Sequence, residues 1–133
     1  MIAWVNTDAA GGAQWQRQEQ PTPTPRDGWA LIRVRAVGLD RSECVGEIVH
    51  PGGLQLPVGT RVAALKVGVS QPSEGTYAEY VLVPHADLFP LNSQLPWDVL
   101  AALPTLLRNA HGALHIGLAI ADAESLLIRG GTS

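Results

Sequence analysis

Two apolar-alternating segments joined by a very short polar connection constrain this chain most. They occupy residues 28 to 49, with the sequence GWALIRVRAVGLDRSECVGEIV. Residues 29 to 37 alternate between apolar and more polar positions, which predicts a strand with one buried face. Residues 44 to 49 predict a second strand, and the Pro-Gly-Gly at 51 to 53 predicts its closing turn. Since only residues 38 to 43 lie between them, the two strands are expected to meet at a tight joint.

Short extended segments with glycine and proline between them fill the first two thirds of the chain. Further strands are predicted at residues 2–5, 61–65, 75–83 and 86–91. Residues 13–20 are expected to pair with the opening strand as a hairpin. The Pro-Thr-Pro-Thr-Pro run at 21–25 predicts a stiff connector, because proline lacks the amide donor that a ladder needs. Many short strands of this kind favour a compact barrel or sandwich.

The periodicity becomes helical at Trp97. A first short helix is predicted from there, with Pro104 breaking or restarting it. Apolar residues at steps of three and four then predict an amphipathic helix as far as Leu118. An apolar run at 125–129 predicts a strand, and residues 130–133 predict a glycine loop. Helix, strand and glycine loop in this order are typical of the opening of a nucleotide-binding βαβ unit.

Composition and charge exclude several classes of function. The net charge of -3 provides no basic surface for nucleic acid or anionic lipid. The single cysteine, Cys44, can form no internal disulfide and cannot build a cysteine-rich zinc site. No apolar run approaches membrane-spanning length, and the N-terminus lacks a signal-peptide pattern. A cytoplasmic protein that binds neither nucleic acid nor membrane is therefore expected.

Six segments resemble, in order, the N-terminal half of medium-chain dehydrogenase/reductases, specifically the zinc-independent quinone oxidoreductase branch. They are WALIRVRAVGLDRSE, VGEIV with PGG, PVGTRVAAL, GTYAEYVLVP, LPWDVLAALP and LLIRGGTS. The resemblance implies a mainly β fold with C-terminal helices. Residues 1–95 would form a GroES-like β-barrel, the remnant of a catalytic domain. Residues 96–133 would form a helical segment, the first strand and the glycine loop of an incomplete, truncated Rossmann domain.

The resemblance also implies two missing parts. In the family, a lobe that carries part of the substrate cleft follows the segment similar to GLDRSE, whereas here Glu43 leads directly into Cys44. Residues 40–44 are therefore expected to form a barrel connection and not a cleft wall. The family also continues past its glycine loop into the rest of the cofactor domain. Because family members bind NADPH between their two domains, this chain is expected to bind no cofactor alone.

The candidate cofactor-binding residues are remnants implied by the same resemblance. They are Asp40, in the stretch that lies beside the nicotinamide in the family, and Gly130, Gly131, Thr132 and Ser133 in the glycine loop. A backbone-turn role competes for Asp40, and a frayed terminus competes for the loop. No catalytic residue is assigned, because neither Asp40 nor Ser42 has an identifiable base partner.

No metal site is predicted either. His111 and His115 are four residues apart on the predicted helix, a spacing that can present two imidazoles to one metal. A catalytic zinc site needs three protein ligands, however, and no third ligand follows at a recognisable spacing.

Three functions remain open at this point. The first is a GroES-like domain of a quinone oxidoreductase-type or alcohol dehydrogenase-like protein that is not catalytically competent alone. The second is one part of an NADPH-dependent quinone or enone reductase, completed by a Rossmann-domain partner or by another copy. The third is a non-enzymatic binding or chaperone-like barrel module, which depends on fold analogy alone. A homodimer through the C-terminal strand and helix is also predicted, because an unpaired strand invites pairing.

Overall fold

The computed structural model describes residues 1–7, 14–38, 42–65 and 76–130. Within these residues the chain forms two antiparallel sheets and one α-helix. The elements are β1 (Ile2–Asn6), β2 (Trp15–Glu19), β3 (Trp29–Val37), β4 (Cys44–His50), β5 (Arg61–Ala64), β6 (Tyr80–Pro84), β7 (Leu88–Pro90) and α1 (Trp97–His111). A 3-10 turn at His85–Asp87 precedes β7, and a π-helical turn at Gly112–Gly117 extends α1. The predicted mainly β fold class with a C-terminal helical part is confirmed. The loop predicted at 67–74 lies outside the described residues.

The first two strands form the predicted hairpin. Strand β1 pairs antiparallel with β2, from Ile2 opposite Glu19 to Asn6 opposite Trp15. The hairpin attaches to the rest of the chain through Trp4, whose N–H donates to the carbonyl oxygen of Tyr77 at 2.7 Å. The proline run at 21–25 forms no regular element up to Pro25, as the missing amide donors predict.

The five-stranded sheet has the order β6-β3-β4-β5-β7, and every neighbouring pair is antiparallel. Its long strands β3 and β4 pair directly across the short joint, with Val37 opposite Cys44. The N–H of Gly38 donates to the carbonyl oxygen of Glu43 at 3.1 Å and closes the joint. The two strands predicted from the alternating pattern, and their tight connection, are therefore confirmed.

Both faces of this sheet are buried around β4. Successive side chains of a strand point to opposite faces, so Cys44 and Val45 enter different clusters. Cys44 and Ile48 belong to the larger cluster, with Ile32 of β3. Val45 joins the smaller cluster, which α1 completes with Leu100 and other residues. Full burial of a valine- or isoleucine-sized side chain contributes roughly 1.5–3 kcal/mol, so β4 anchors both layers.

Helix α1 runs without interruption through Pro104, so the predicted break there is wrong. Proline removes one helical hydrogen bond and strains the preceding turn, but this cost is offset where the helix packs well. Leu100 and Ala101, in the helical turn that precedes Pro104, are buried against the sheet. The acidic Asp98 lies in the first turn, where the positive end of the helix dipole favours it.

Two details of the expected architecture differ from the structure. Among the described residues the five-stranded sheet ends in β6 and β7 and is not closed by strand pairing, so a barrel is not confirmed. Residues 125–129 form no strand, which contradicts the prediction made from their apolar run. A strand needs a neighbouring strand to satisfy its backbone groups, and no strand of the described chain pairs with this segment.

The apolar stripe that follows Pro104 is helical as predicted but largely exposed. Leu106, Leu107 and Leu118 are each more than half exposed. In the tail, Leu127 is 93% exposed and Ile128 is 69% exposed. No helix among the described residues is both long and apolar enough to cross a membrane.

Candidate active-site cleft

An open cleft of about 430 Å³ lies where α1 crosses the ends of β3 and β4. We call it the α1 cleft. Its walls come from the β3–β4 joint and from one side of the helix. The lining residues are Val37, Gly38, Glu43, Asp98, Ala101, Ala102, Thr105 and Leu106. The volume is in the range of small-molecule sites.

Glu43 is the unusual residue of this cleft. It is only 3% exposed, although glutamate is almost never buried unless it is paired. Its Oε2 atom makes no hydrogen bond within the described chain. A buried acceptor without a partner costs about 1–3 kcal/mol, and more when the group is charged. The tight joint holds Glu43 in this position, because its backbone carbonyl accepts the N–H of Gly38 at 3.1 Å.

Gly38 makes room for the Glu43 side chain. A Cβ atom built on Gly38 would lie 2.8 Å from both Cγ and Oε1 of Glu43. Any larger residue at position 38 would therefore displace the carboxylate from its present position. The close approach shows that the carboxylate is packed into the joint, beside the floor of the α1 cleft.

The helix contributes two further polar side chains. The Oγ1 atom of Thr105 is buried and also makes no hydrogen bond within the described residues. Asp98, one of the exposed residues of the first helical turn, adds a second carboxylate at the edge of the cleft. The described lining includes neither lysine nor arginine. The cleft thus combines apolar walls with two carboxylates and one hydroxyl that lacks a partner.

The charge of Glu43 also affects its neighbour in the chain. Burial, and to a smaller extent the nearby Glu43 carboxylate, raise the pKa of the Cys44 thiol from 9.0 to about 12. The thiol therefore stays protonated at neutral pH, in contrast to a reactive cysteine, whose pKa is lowered. Cys44 serves as a core residue and is no candidate nucleophile.

Arg61 fixes the start of the helix relative to the sheet. Its guanidinium donates hydrogen bonds to the backbone carbonyls of Ser93 and Leu95, the latter at 2.8 Å. The same group lies over the ring of Trp97, with 3.9 Å between Cζ and the ring centroid. Because β5 carries Arg61 and α1 begins at Trp97, these contacts determine where the helical wall of the cleft stands.

Only one of the predicted cofactor remnants, Gly130, lies within the described residues. Asp40, Gly131, Thr132 and Ser133 lie outside the described residues. Gly130 is exposed, has a φ of 76° and does not line the cleft. Glu43, in the stretch expected to form a strand connection, lines the α1 cleft. The reason is tertiary: α1 packs over the joint and turns a strand connection into the floor of a cleft.

The described part of the chain contains no cluster of metal-ligating side chains. No group of three or more His, Cys, Asp or Glu residues there could hold an ion. His111 and His115 do lie together, with 4.7 Å between their ring centroids. Both are exposed, and a pair of ligands is fewer than a zinc centre needs.

Sequence reasoning missed both Glu43 and Thr105 as site residues. Glu43 carried one available signal: it is a carboxylate placed directly before a predicted buried strand. Thr105 carried none, because nothing in the residues around it distinguishes it from any other polar position of the helix. Only the packing of the helix on the sheet shows that the two residues share a cavity.

Comparison with solved structures identifies the fold. An alcohol dehydrogenase superfamily protein from Novosphingobium aromaticivorans matches 100% of this chain with a TM-score of 0.79 and 21% identity, over 47% of its own length. The human synaptic vesicle membrane protein VAT-1 homolog-like protein matches 90% of this chain with a TM-score of 0.76 and 22% identity, over 44% of its length. The quinone oxidoreductase from Thermus thermophilus, solved also with NADPH, matches 90% of this chain with a TM-score of 0.68 and 28% identity, over 42% of its length.

No family model and no curated protein matches the sequence. The structural matches are members of the dehydrogenase/reductase superfamily that the sequence resembles, and the chain spans less than half the length of these three. The chain therefore has the fold of about one half of a medium-chain dehydrogenase/reductase.

Proposed function

We propose that this chain forms the substrate-side part of a nicotinamide-dependent oxidoreductase of the quinone oxidoreductase type, and that it transfers no hydride alone. The observation that carries the proposal is the match of 90% to 100% of the chain to oxidoreductases about twice its length. Hydride transfer requires a nicotinamide held against a substrate in a fixed geometry. In this proposal the α1 cleft is the wall that this chain contributes.

The described lining of the cleft offers no group that binds the phosphates of NADPH. Pyrophosphate is bound by the amides of a helix N-terminus or by basic side chains. The described lining offers Glu43 and Asp98, which repel phosphate, and no lysine or arginine. In this proposal the nucleotide phosphates are held by residues other than those of the described lining.

The surface of the chain favours one specific form of this proposal, in which a second polypeptide segment completes the oxidoreductase. Exposed apolar side chains form a run along the helical part and the tail, including Leu107, Ile116, Leu127 and Ile128. Large exposed apolar surfaces mark interaction sites in folded proteins. The partner would be a Rossmann-type nucleotide-binding unit, or a second copy of this chain, that covers residues 126–128.

The test of the main proposal is direct. The purified chain is titrated with NADPH, with nicotinamide fluorescence as the readout, and then assayed with NADPH and a benzoquinone. We expect no saturable nucleotide binding and no turnover above the rate in buffer. Saturable binding with turnover would overturn the claim that the chain is not competent alone.

The partner is tested separately. An affinity-tagged chain is used to recover bound proteins from its native host, and the recovered material is assayed for NADPH-dependent quinone reduction. Recovery of a nucleotide-binding protein together with that activity is the expected result. A variant with Leu127→Glu and Ile128→Glu is compared in the same experiment. It should lose the partner and keep its fold. Equal recovery by this variant would contradict a partner that covers the tail.

A further inference from the structure

We propose that His111 and His115 form a two-histidine chelate on the surface of the helical segment, which binds a divalent transition-metal ion of the Cu²⁺ or Ni²⁺ type. The inference goes beyond the proposed function, because neither residue lines the α1 cleft. It is carried by the positions of two exposed imidazole rings and by the local geometry of the helix that holds them. Spacing alone predicts no metal site here, so the distance between the rings is the decisive observation.

The helix brings the two imidazoles together at its C-terminal end. His111 is the last residue of α1, and His115 lies in the π-helical turn Gly112–Gly117 that continues it. Residues four apart on a helix are surface neighbours, and single π-helical turns are rare and occur frequently at functional sites. Both side chains are exposed, so an ion reaches their ring nitrogens directly from solvent.

The ring separation matches that of two imidazoles on one metal. A metal–nitrogen bond of about 2.05 Å and a ring radius of about 1.15 Å place each ring centroid about 3.2 Å from the ion. Two such rings have centroids about 4.5 Å apart at a right angle and about 5.2 Å apart at the tetrahedral angle. The observed 4.7 Å lies between these values and nearer to the first. Rotation about the broad χ2 torsion of histidine turns one nitrogen of each ring toward a shared ion at low cost.

The two ligands and their angle select the class of metal. Imidazole suits Cu²⁺, Ni²⁺ and Zn²⁺, whereas Mg²⁺ and Ca²⁺ prefer oxygen ligands. An angle near 90° is typical of the square-planar and tetragonal sites of Cu²⁺ and Ni²⁺, in which water fills the positions that the protein leaves open. Zinc sites use three or four protein ligands, so Zn²⁺ should bind this pair more weakly than Cu²⁺.

A bound ion would join α1 to the turn that follows it. This turn is closed by the N–H of Leu118, which donates to the carbonyl oxygen of Ala113 at 2.9 Å. Opening of the turn separates the two rings, so an ion held by both rings opposes the opening. Arg108, in the last turn of α1, adds a positive charge that repels the ion. Because Arg108 is exposed, salt in solution screens this repulsion.

Calorimetric titration of the untagged chain at neutral pH measures the binding directly. The probes are the chlorides of Cu²⁺, Ni²⁺, Zn²⁺ and Mg²⁺. We expect one Cu²⁺ or Ni²⁺ ion per chain, weaker binding of Zn²⁺ than of Cu²⁺, and no binding of Mg²⁺. Two linked ligands bind more tightly than one by a factor of about 10²–10⁴, because the second contact is intramolecular. His111→Ala and His115→Ala should therefore each weaken Ni²⁺ binding by about a hundredfold or more.

Two control variants separate the chelate from histidine content. His115→Ala combined with Ala113→His keeps four histidines in the chain but moves the second imidazole away from His111, because residues two apart on a helix do not face each other. This spacing variant should bind Ni²⁺ as weakly as His115→Ala alone. His50→Gln removes an exposed histidine at the end of β4 and should leave the affinity unchanged. Circular dichroism shows whether each variant folds.

Hydrogen exchange of the peptide that covers residues 112–118, followed by mass spectrometry, measures the coupling of the ion to the turn. At a free Ni²⁺ concentration of about 100 times the dissociation constant, exchange in the unsubstituted chain should slow by about a hundredfold. The spacing variant should exchange at the same rate with and without Ni²⁺ at that concentration.

The proposal is overturned by any of four results. The first is the absence of saturable binding of Cu²⁺ or Ni²⁺. The second is one bound ion per two chains, since the proposed chelate lies within one chain. The third is a folded spacing variant with the Ni²⁺ affinity of the unsubstituted chain. The fourth is hydrogen exchange at 112–118 that Ni²⁺ does not slow in the unsubstituted chain. If the spacing variant does not fold, the two single alanine variants and the exchange measurement decide the question.

Discussion

Gly46 offers the sharpest test of how the cleft is supported. It lies in β4, opposite Val34 of β3, in the strand pair whose ends form the floor of the α1 cleft. A Cβ atom at position 46 would lie 2.1 Å from the carbonyl oxygen of Arg33. Gly46→Ala therefore places a methyl group directly against the backbone of the neighbouring strand.

The size of the effect follows from this distance. Carbon and carbonyl oxygen approach closely at about 3.3 Å, so the two strands would have to separate locally by about 1.2 Å. A backbone hydrogen bond of about 2.9 Å does not survive such a displacement, and each lost bond costs about 1 kcal/mol. The loss of about two such bonds, together with an overpacking cost of about 1–3 kcal/mol, gives an expected loss of about 3–5 kcal/mol in the free energy of unfolding.

Thermal unfolding followed by circular dichroism measures this loss. For a domain of this size the melting temperature should fall by about 10 °C or more. Gly112→Ala is the matched control, because nothing lies within 4 Å of a Cβ atom there and the backbone is helical, with a φ of -60°. Alanine should raise stability at that position by about 0.5–1 kcal/mol.

The result that would refute the reasoning is a Gly46→Ala protein that melts within about 3 °C of the unsubstituted chain. It would mean that β3 and β4 adjust to the added methyl group without loss. A similar drop in both glycine variants would also contradict it, since only Gly46 faces a neighbouring backbone.

Three further predictions concern stability and association. Because burial raises the folded-state pKa of Cys44 from 9.0 to about 12, the stability that the protonated thiol contributes is present below pH 9 and is lost as the pH rises toward 12. Urea unfolding across this range should show the loss, and Cys44→Ala should show a smaller one, because only the other alkaline groups still titrate. Arg61→Ala should lower the free energy of unfolding by about 1.5–3 kcal/mol, because charged hydrogen bonds to two carbonyls and the contact with Trp97 are lost. Arg61→Lys should recover only part of this loss, and thermal unfolding of both variants measures it. Leu127→Glu with Ile128→Glu should reduce any concentration-dependent rise in mass seen by light scattering; an unchanged rise would show that the tail is not the contact.

Much of the fold could be predicted because its signals are local. Alternation of apolar residues identified β3 and β4, and the short joint between them placed their ends together. The change to a helical period identified α1, although Pro104 suggested a break that the structure does not have. That error arises because the intrinsic cost of proline in a helix is fixed, whereas the packing of Leu100 and Ala101 that offsets it is tertiary.

The segment at 125–129 shows where a local pattern fails to predict the structure. Residues 125–129 have the apolar run typical of a buried parallel strand, and such a run predicts a strand only where neighbours exist. No described strand pairs with this segment, so it forms no strand and leaves Leu127 almost fully exposed. A local pattern specifies what a segment can do, and its partners determine whether it does so.

The sequence by itself determined the order of strands and helix, the tight joint between β3 and β4, and the family resemblance. Only the tertiary structure decided that this joint is a cleft floor. The physical reason is that α1 packs its buried face on the sheet and brings Thr105 and Glu43, far apart in the chain, to one cavity. Their unsatisfied oxygens depend on contacts between elements, which no periodicity within one element encodes.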